Sequence, residues 1–219
     1  MILTQAVEDY LKAIYKLRGE REGATTTAIA ERLGVSAASV TNMIKKLARL
    51  RLVEHTPYHG VLLTTGGEKV ALEIIRHHRL LELYLADVLG VSLDKVDEEA
   101  ERLEHVLSED LEERIAQTLG DPTRDPHGHP IPSREGRLDE CSYPALADLR
   151  RGASGVIVHV SDQDADVLRD LAAEGLLPGA QVRVVGIGDH GRMRVRSPAG
   201  ERDVSRALAR AVHVSATGG

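Results

Sequence analysis

The stretch 27–50 reads TAIAERLGVSAASVTNMIKKLARL and contains two short helical patterns. Gly34 and Val35 form the predicted turn between them. The predicted N-caps are Thr27 for the first helix and Ser36 for the second. A helix, a glycine-containing turn and a second helix form the helix-turn-helix layout, although an ordinary helical hairpin with a polar face has the same pattern. The second helix has three apolar residues at helical spacing that are predicted to be buried, namely Val40, Ile44 and Leu47.

Two short strand patterns, 52–55 and 61–64, follow the second helix. The turn residues 57–60 between them predict a β-hairpin. A hairpin directly after a helix-turn-helix is the wing of a winged helix, so this order favours DNA binding over the plain hairpin. The predicted DNA contacts are small polar side chains suited to base edges and lysines suited to phosphates, namely Thr27, Ser36, Ala38, Ser39, Thr41, Asn42, Lys45 and Lys46.

The composition predicts a soluble protein with an aliphatic core. The 219 residues are 42% hydrophobic but include no Phe and no Trp. The single cysteine, Cys141, excludes an intrachain disulfide and a cysteine zinc cluster. No apolar run approaches the roughly 18 residues of a membrane span, and the amphipathic start of the chain does not resemble a secretory signal. We therefore expect a cytoplasmic protein without a membrane segment.

The charge is divided unevenly along the chain, although the total is −6. Residues 1–60 have a net charge of +3, residues 61–140 of −10 and residues 141–219 of +1. A basic first module can approach nucleic acid, whereas a strongly acidic second module can attract cations.

The acidic module contains the sequence Glu-Arg-Leu-Glu-His at 101–105, within a predicted helix over 93–119. On a helix, Glu101, Glu104 and His105 share one face. Two carboxylates and an imidazole at this spacing can bind a divalent cation if other segments add ligands. The alternative is a solvated acidic face with an incidental histidine.

A second candidate pair lies on the preceding predicted helix, which Thr65 caps and which extends to about Leu89. His78 and Glu82 are four residues apart, so their side chains lie on one face. Asp97 lies at the start of the acidic helix.

The last part of the chain changes character. Residues 120–145 are rich in Pro and Gly and predict an ordered loop leading into a linker, in which His127 and His129 are expected to be structural or exposed. Three short strand patterns and one helix over 165–174 then predict a small β-barrel. His159 and Asp162 lie at the end of its first strand.

Taken together, the chain resembles the iron-dependent repressor family, which includes the diphtheria toxin repressor and the manganese transport regulators. The resemblance covers almost all residues. Beside the winged helix, it rests on Val-Glu-Asp-Tyr-Leu at 7–11, His-Arg-Leu-Leu-Glu at 78–82, Glu-Arg-Leu-Glu-His-Val-Leu-Ser at 101–108 and Asp-Pro-His-Gly-His-Pro-Ile-Pro at 125–132. It implies a mainly α fold with a small β part, namely a winged helix-turn-helix at 1–64, a helical dimerisation and metal-binding domain at 65–140, a linker at 141–152 and an SH3-like (FeoA-like) β-barrel at 153–219.

The resemblance also implies two metal sites in each subunit. The ligands that it implies for the primary site are Asp9, Glu101, Glu104 and His105. Those that it implies for the ancillary site are His78, Glu82 and Asp97, with His159 and Asp162 (or Gln163) as additional candidates from the C-terminal module.

This chain departs from the iron-type pattern at two primary ligands. Asp9 and Glu101 stand where iron-type members have Met and Cys, and hard carboxylates suit Mn(II) better than sulfur ligands do. Lys12 stands where the manganese regulators have a glutamate of a binuclear site, so we expect the ancillary site at His78 and Glu82 in place of a second ion beside Lys12.

We therefore expect a Mn(II)-responsive transcriptional repressor of manganese or iron transport genes, which binds palindromic double-stranded DNA as a homodimer. Fe(II), Co(II) or Zn(II) are expected to replace Mn(II) in vitro. The alternatives are an Fe(II)-responsive repressor of the same family and a winged-helix regulator that senses another ligand. An enzyme is not expected, because the zinc-protease pattern H-x-x-E-H would need histidine at Glu101.

Overall fold

The computed structural model describes residues 3–18, 24–55, 60–139, 141–161, 164–188 and 192–217. None of the helices in these ranges is both long and apolar enough to cross a membrane. The helices are α1 (Gln5–Leu17), α2 (Thr26–Leu33), α3 (Ala37–Arg49), α4 (Thr65–Asp87), α5 (Val96–Leu103), α6 (Glu109–Thr118), α7 (Ala165–Ala173) and α8 (Arg206–Arg210), with a 3-10 turn at Leu146–Asp148. The strands are β1 (Val53–His55), β2 (Val61–Leu63), β3 (Ser154–Val160), β4 (Gln181–Ile187), β5 (Met193–Ser197), β6 (Gly200–Val204) and β7 (Val212–Thr217).

The chain divides into two compact units. The first unit contains Met1–His77, Glu104–Leu107 and Pro132–Leu138. The second unit contains the remaining residues, His78–Leu103, Ser108–Ile131 and Asp139–Gly219. Helix α4 therefore changes unit between His77 and His78, while the domain limits expected from the sequence stay a prediction.

In the first unit, hydroxyl side chains cap α2 and α3. Thr25 Oγ1 accepts a hydrogen bond from Ala28 N at 3.1 Å, and Ser36 caps α3 in the same way. The N-cap predicted at Thr27 is wrong, because Thr25 already has the extended backbone that an N-cap needs and Thr27 lies inside the helix. Gly34 ends α2 with a φ of +63°, a left-handed conformation that favours glycine.

The predicted order of helix, turn, helix and hairpin is confirmed. Strands β1 and β2 pair antiparallel, with Val53 opposite Leu63 and His55 opposite Val61. The turn residues 56–59 lie outside the described residues. An aliphatic core joins the helices to the hairpin, and its fully buried members include Leu11, Ile14, Ile29, Val40, Leu47 and Val61.

The first turn of α4 packs closely on the chain before β1. Thr64, and not the predicted Thr65, caps the helix, since its Oγ1 accepts a hydrogen bond from Gly67 N at 3.1 Å. A Cβ atom at Gly67 would lie 1.9 Å from the carbonyl oxygen of Leu52, so only glycine fits this approach.

The predicted single helix over 93–119 is wrong, because the segment forms two helices, α5 and α6. Ser108 caps α6 by accepting a hydrogen bond from Leu111 N at 3.3 Å. A serine followed by acidic residues is a strong helix start, and it interrupts the preceding helix. Residues 104–105 therefore lie on a turn and not on a helical face.

In the second unit, five strands form one antiparallel sheet in the order β6-β5-β4-β3-β7. Among the described residues β6 and β7 are its edges, so the sheet is open and the predicted closed barrel is not confirmed. Only β3, β4, β5 and α7 were predicted; β6, α8 and β7 are additional. The buried core of the sheet includes Ile157, Val160, Leu168, Leu171, Val184, Val195 and Val214.

A loop over 125–130 is attached to this sheet by its backbone. Val160 N donates a hydrogen bond to the carbonyl oxygen of His127 at 2.9 Å. Gly128 has a φ of +89°, and a Cβ atom there would lie 2.0 Å from the carbonyl oxygen of Val158. Glycine is thus required where the loop crosses β3, and this crossing places His127.

Candidate functional site

The predicted DNA-contact residues all have exposed side chains, on α2 and α3 or at the cap between them. The hydroxyls of Ser36 and Ser39 lie 2.9 Å apart and share a hydrogen bond. The Thr41 hydroxyl donates to the carbonyl oxygen of Ala37 at 2.9 Å, so it is bound within its own helix. Within the part of the chain that the structure describes, four of these polar side chains have no hydrogen bond or ion pair, those of Thr27, Asn42, Lys45 and Lys46.

A first cluster of possible metal ligands, the Asp9 group, lies in the first unit and consists of Asp9, Glu104 and His105. His105 Nε2 lies 2.8 Å from Asp9 Oδ1 and 3.4 Å from Glu104 Oε1. Each residue offers one ligand atom, and these atoms lie within 4.8 Å of one another. The arrangement suits a divalent cation, because carboxylates and imidazole bind such ions.

Glu8 orients the His105 ring. His105 Nδ1 and Glu8 Oε2 lie 2.7 Å apart and form a hydrogen bond. An imidazole that donates from Nδ1 keeps its lone pair on Nε2, the atom that faces Asp9 and Glu104. His105 Nε2 is buried and makes no hydrogen bond with the described residues, as expected for a metal ligand. Glu8 was missed by the sequence analysis, although it immediately precedes Asp9.

Two further side chains hold Glu104. Lys12 Nζ donates to both carboxylate oxygens of Glu104, at 2.9 Å and 2.7 Å, and both residues are buried. His77 Nδ1 donates to the carbonyl oxygen of Glu104 at 3.2 Å. Helix α1 supplies one member of the group, Asp9, and two side chains that contact it, Glu8 and Lys12.

A second cluster, the Glu82 group, lies in the second unit and contains His78, Glu82, Asp97, Asp125 and His127. His78 Nε2 lies 3.2 Å from Asp97 Oδ1 and 3.6 Å from Glu82 Oε1. His127 Nδ1 lies 3.2 Å from Glu82 Oε1. Glu82 is thus common to two possible ligand sets, one with His78 and Asp97, and one with Asp125 and His127.

The Glu82 carboxylate is the strongest sign of a cation in this cluster. The side chain is fully buried, and neither oxygen has a hydrogen-bond partner among the described residues. A buried carboxylate in this state is costly unless a cation or a proton compensates it. The residues present therefore fit a divalent ion.

Asp125 and His127 were not predicted as ligands. His127 is fully buried, and its Nε2 lies 3.2 Å from the carbonyl oxygen of Leu93. Burial raises the pKa of Asp125, but the hydrogen bond with His129 and the charges of His129 and Arg79 hold it below its ordinary value. The available signal was the run Asp-Pro-His-Gly-His, in which the glycine permits a close backbone approach.

Two other predicted ligands, Glu101 and His159, belong to the second unit. Glu101 belongs to the second unit, where its Oε2 lies 3.7 Å from His78 Nδ1. His159 is outside both clusters, and its ring stacks on His213 with the ring centroids 4.3 Å apart. Burial, with the nearby charges of His129 and His213, lowers the pKa of His159 to about 4. Asp162 and Gln163 lie outside the described residues.

Three domain families match this sequence and together cover most of it. Residues 2–61 match the N-terminal DNA-binding domain of the iron-dependent repressors. Residues 64–133 match the metal-binding and dimerisation domain of the same repressors, and residues 145–216 match the FeoA domain. The chain belongs to the iron-dependent repressor family.

Individual relatives agree with this membership. The iron-dependent repressor IdeR of Mycobacterium leprae is 36% identical over 200 residues, which are 83% of this chain and 84% of that protein. A solved structure of a manganese-dependent transcriptional repressor in complex with manganese is similar with a TM-score of 0.88 and 36% identity, covering 96% of this chain and 100% of the other. The structure of ScaR with bound Cd²⁺ has a TM-score of 0.80 and 32% identity, covering 95% of this chain and 98% of the other.

Membership of the iron-dependent repressor family confirms the predicted class of function. The protein is a metal-dependent, DNA-binding transcriptional repressor, and the family is one of repressors and not of enzymes.

Proposed function

We propose that this repressor responds to Mn(II) and that its primary ligands are Asp9, Glu101, Glu104 and His105. The observation that carries the proposal is the Asp9 group, in which His105 presents a bare Nε2 to two carboxylates. No sulfur atom takes part in the proposed set, and hard oxygen ligands with one imidazole suit Mn(II) better than a softer ion. Glu8 supports the ligand role of His105 by holding its Nδ1.

The ancillary ion is proposed to use Glu82. His78 and Asp97 complete one ligand set, with His159 and Asp162 as the additional donors expected from the resemblance. Asp125 and His127 complete the other possible set, in which His127 supplies the imidazole. Asp97→Ala and His127→Ala distinguish them, because each variant removes a ligand of one set only.

The DNA-binding surface is proposed to be the exposed face of α3, with Asn42 as the principal base reader. The hydroxyls of Ser36, Ser39 and Thr41 are already hydrogen-bonded within the protein, whereas the Asn42 amide is exposed. Asparagine can pair bidentately with adenine in the major groove, and Lys45 and Lys46 suit phosphates. Asn42→Ala is expected to reduce discrimination at one base pair of each half-site, while Lys46→Ala weakens binding to all sequences.

A homodimer on a palindromic operator is proposed, since two-fold symmetry brings two recognition helices onto successive half-sites. In the second unit, four large apolar side chains are between 40% and 60% exposed, within the region that matches the dimerisation domain: Val88, Leu89, Leu103 and Leu111. Leu89→Arg should yield monomers in analytical ultracentrifugation. A variant that still dimerises would show that this surface is not the dimer interface.

Metal and DNA are proposed to be coupled by linkage. Asp9 lies on α1, whose apolar face shares the core of the DNA-binding helices, and Glu101 lies on α5 of the second unit. A bound cation offsets the negative charge of the proposed ligands. Because coupling is reciprocal, metal strengthens DNA binding by the same factor by which DNA strengthens metal binding.

The testing experiment is a DNA-binding titration at constant salt, with metal-stripped protein and the promoter of its own gene or of a neighbouring metal transporter. Mn(II), Fe(II), Co(II) and Zn(II) are added in turn. Binding stimulated chiefly by Mn(II) is the expected result. Stimulation chiefly by Fe(II) would favour an iron-responsive repressor. An affinity for DNA that no metal changes would refute the metal-linked mechanism.

A further inference from the structure

We infer that Lys12 is an internal counter-ion of the Asp9 group, which weakens metal binding there and so raises the metal concentration that the repressor needs. The inference rests on the proposed function, because it concerns the same ligands. It assigns to Lys12 a role in metal affinity, beyond excluding a second ion.

The contact between Lys12 and Glu104 has the geometry of a carboxylate bound to a cation. Lys12 Nζ donates to both oxygens of Glu104, at 2.9 Å and 2.7 Å. Lys12 is 5% exposed and Glu104 is 0% exposed, so solvent screens this pair little. The ammonium group occupies oxygen lone pairs that a metal ion would otherwise use.

The charges in the first unit set the direction of the effect. Glu8, Asp9 and Glu104 bring three negative charges to the group, and Lys12 brings one positive charge. These four side chains together carry a net charge of −2. Without Lys12 the net negative charge rises to three, and the attraction for a divalent ion rises with it.

Two consequences of the pair act in the same direction. In the metal-free protein, Lys12 stabilises the buried carboxylate of Glu104, so a metal ion has less to gain by binding. In the metal-bound protein, the ammonium group repels the ion. A purely structural lysine would act differently: its removal would disturb Glu104 and leave metal affinity unchanged or reduced.

The test is the Kd for Mn(II), measured by isothermal titration calorimetry on the full-length, metal-stripped chain. Every protein carries Glu82→Gln, so that the Glu82 group does not titrate. Lys12→Met and Lys12→Gln are expected to lower the Kd about tenfold or more. Lys69→Met is the matched control, since it removes the same charge from an exposed position on α4, and its Kd should equal that of the parent.

A second readout is the melting temperature without metal. Lys12→Met should lower it by about 6–12 °C, because Glu104 loses its buried partner, and Mn(II) should raise it more in this variant than in the parent. If Lys12→Met does not fold without metal, Lys12→Gln supplies the Kd, since its amide can still donate to Glu104.

The outcomes separate the inference from the proposed function. A Kd that is unchanged or higher in the neutral variants of a parent that binds Mn(II) overturns the inference alone. A parent that binds no Mn(II) overturns the proposed primary site and this inference with it.

Discussion

Among the residues that the structure describes, two glutamates are fully buried, Glu104 in the first unit and Glu82 in the second, and their surroundings differ. Glu104 has the ammonium group of Lys12 on both oxygens. Glu82 lies against the imidazoles of His78 and His127, at 3.6 Å and 3.2 Å, without a hydrogen bond among the described residues.

The difference shows two ways of keeping a buried carboxylate inside a protein. Glu104 has a permanent cation, so its charge is compensated without a metal ion. Glu82 lacks a lysine or arginine partner among the described residues, so its compensation must come from a bound ion or from protons. The following predictions test this contrast, from the largest expected effect to the smallest.

Glutamine substitutions should separate the two glutamates most clearly. Without metal, Glu104→Gln should cost about 3–5 kcal/mol of the free energy of unfolding, because it leaves Lys12 buried without its carboxylate. Glu82→Gln should stay within about 1 kcal/mol of the wild type, because it removes a charge that has no cationic partner. Urea unfolding in the presence of a chelator measures both, and equal losses would contradict the contrast.

Asp9→Ala should abolish the stimulation of DNA binding by Mn(II), a loss of about 100-fold, while the metal-free fold is kept. Asp9 is a proposed ligand and contributes little to the core, since it is only partly buried. Fluorescence anisotropy with labelled promoter DNA measures the effect. Asp170→Ala, an exposed acid on α7, serves as the control, and an unchanged response of Asp9→Ala would remove Asp9 from the site.

Glu8→Gln should weaken Mn(II) binding about tenfold, because the amide holds the His105 ring less firmly than the carboxylate does. The same substitution should hardly change binding at the Glu82 group, which lies in the other unit. Calorimetry that resolves two binding events measures both. An equal weakening of the two events would indicate a general change of the fold.

A half-buried histidine of the second unit, His159, should give a smaller dependence of stability on pH. The pKa of His159 is lowered from 6.5 to about 4 in the folded protein. Between these values the unfolded chain binds a proton that the folded chain does not, so stability falls as the pH decreases from 6.5 towards 4. Allowing for partial solvent exposure, His159 should contribute about 1 kcal/mol to the loss at pH 5.

Melting temperatures at pH 7.5 and pH 5.0 measure this contribution in the metal-free protein. The difference between the two temperatures should be smaller in His159→Asn than in the wild type. An equal difference would show that His159 does not carry the effect.

Local signals predicted the first unit well. The predicted apolar face of α3 and the glycine of the turn depend on short-range sequence features, and the structure contains both. The errors are also local, since Thr25 caps α2 in place of Thr27 and Ser108 divides a predicted helix. Neighbouring hydroxyl residues can each serve as the N-cap of the same helix, so the sequence does not distinguish them. An apolar periodic pattern can continue across the end of one helix into the next, so it does not reveal where the first helix ends.

The sequence by itself determined the order of helix, turn, helix and hairpin in the first unit and the chemistry of the candidate ligands, because periodicity, capping residues and the choice of carboxylate over sulfur are properties of single segments. Only the tertiary structure decided that Lys12 pairs with Glu104, 92 positions away, and that His127 faces Glu82. Such pairings are set by how segments pack, and local sequence patterns carry no information about them.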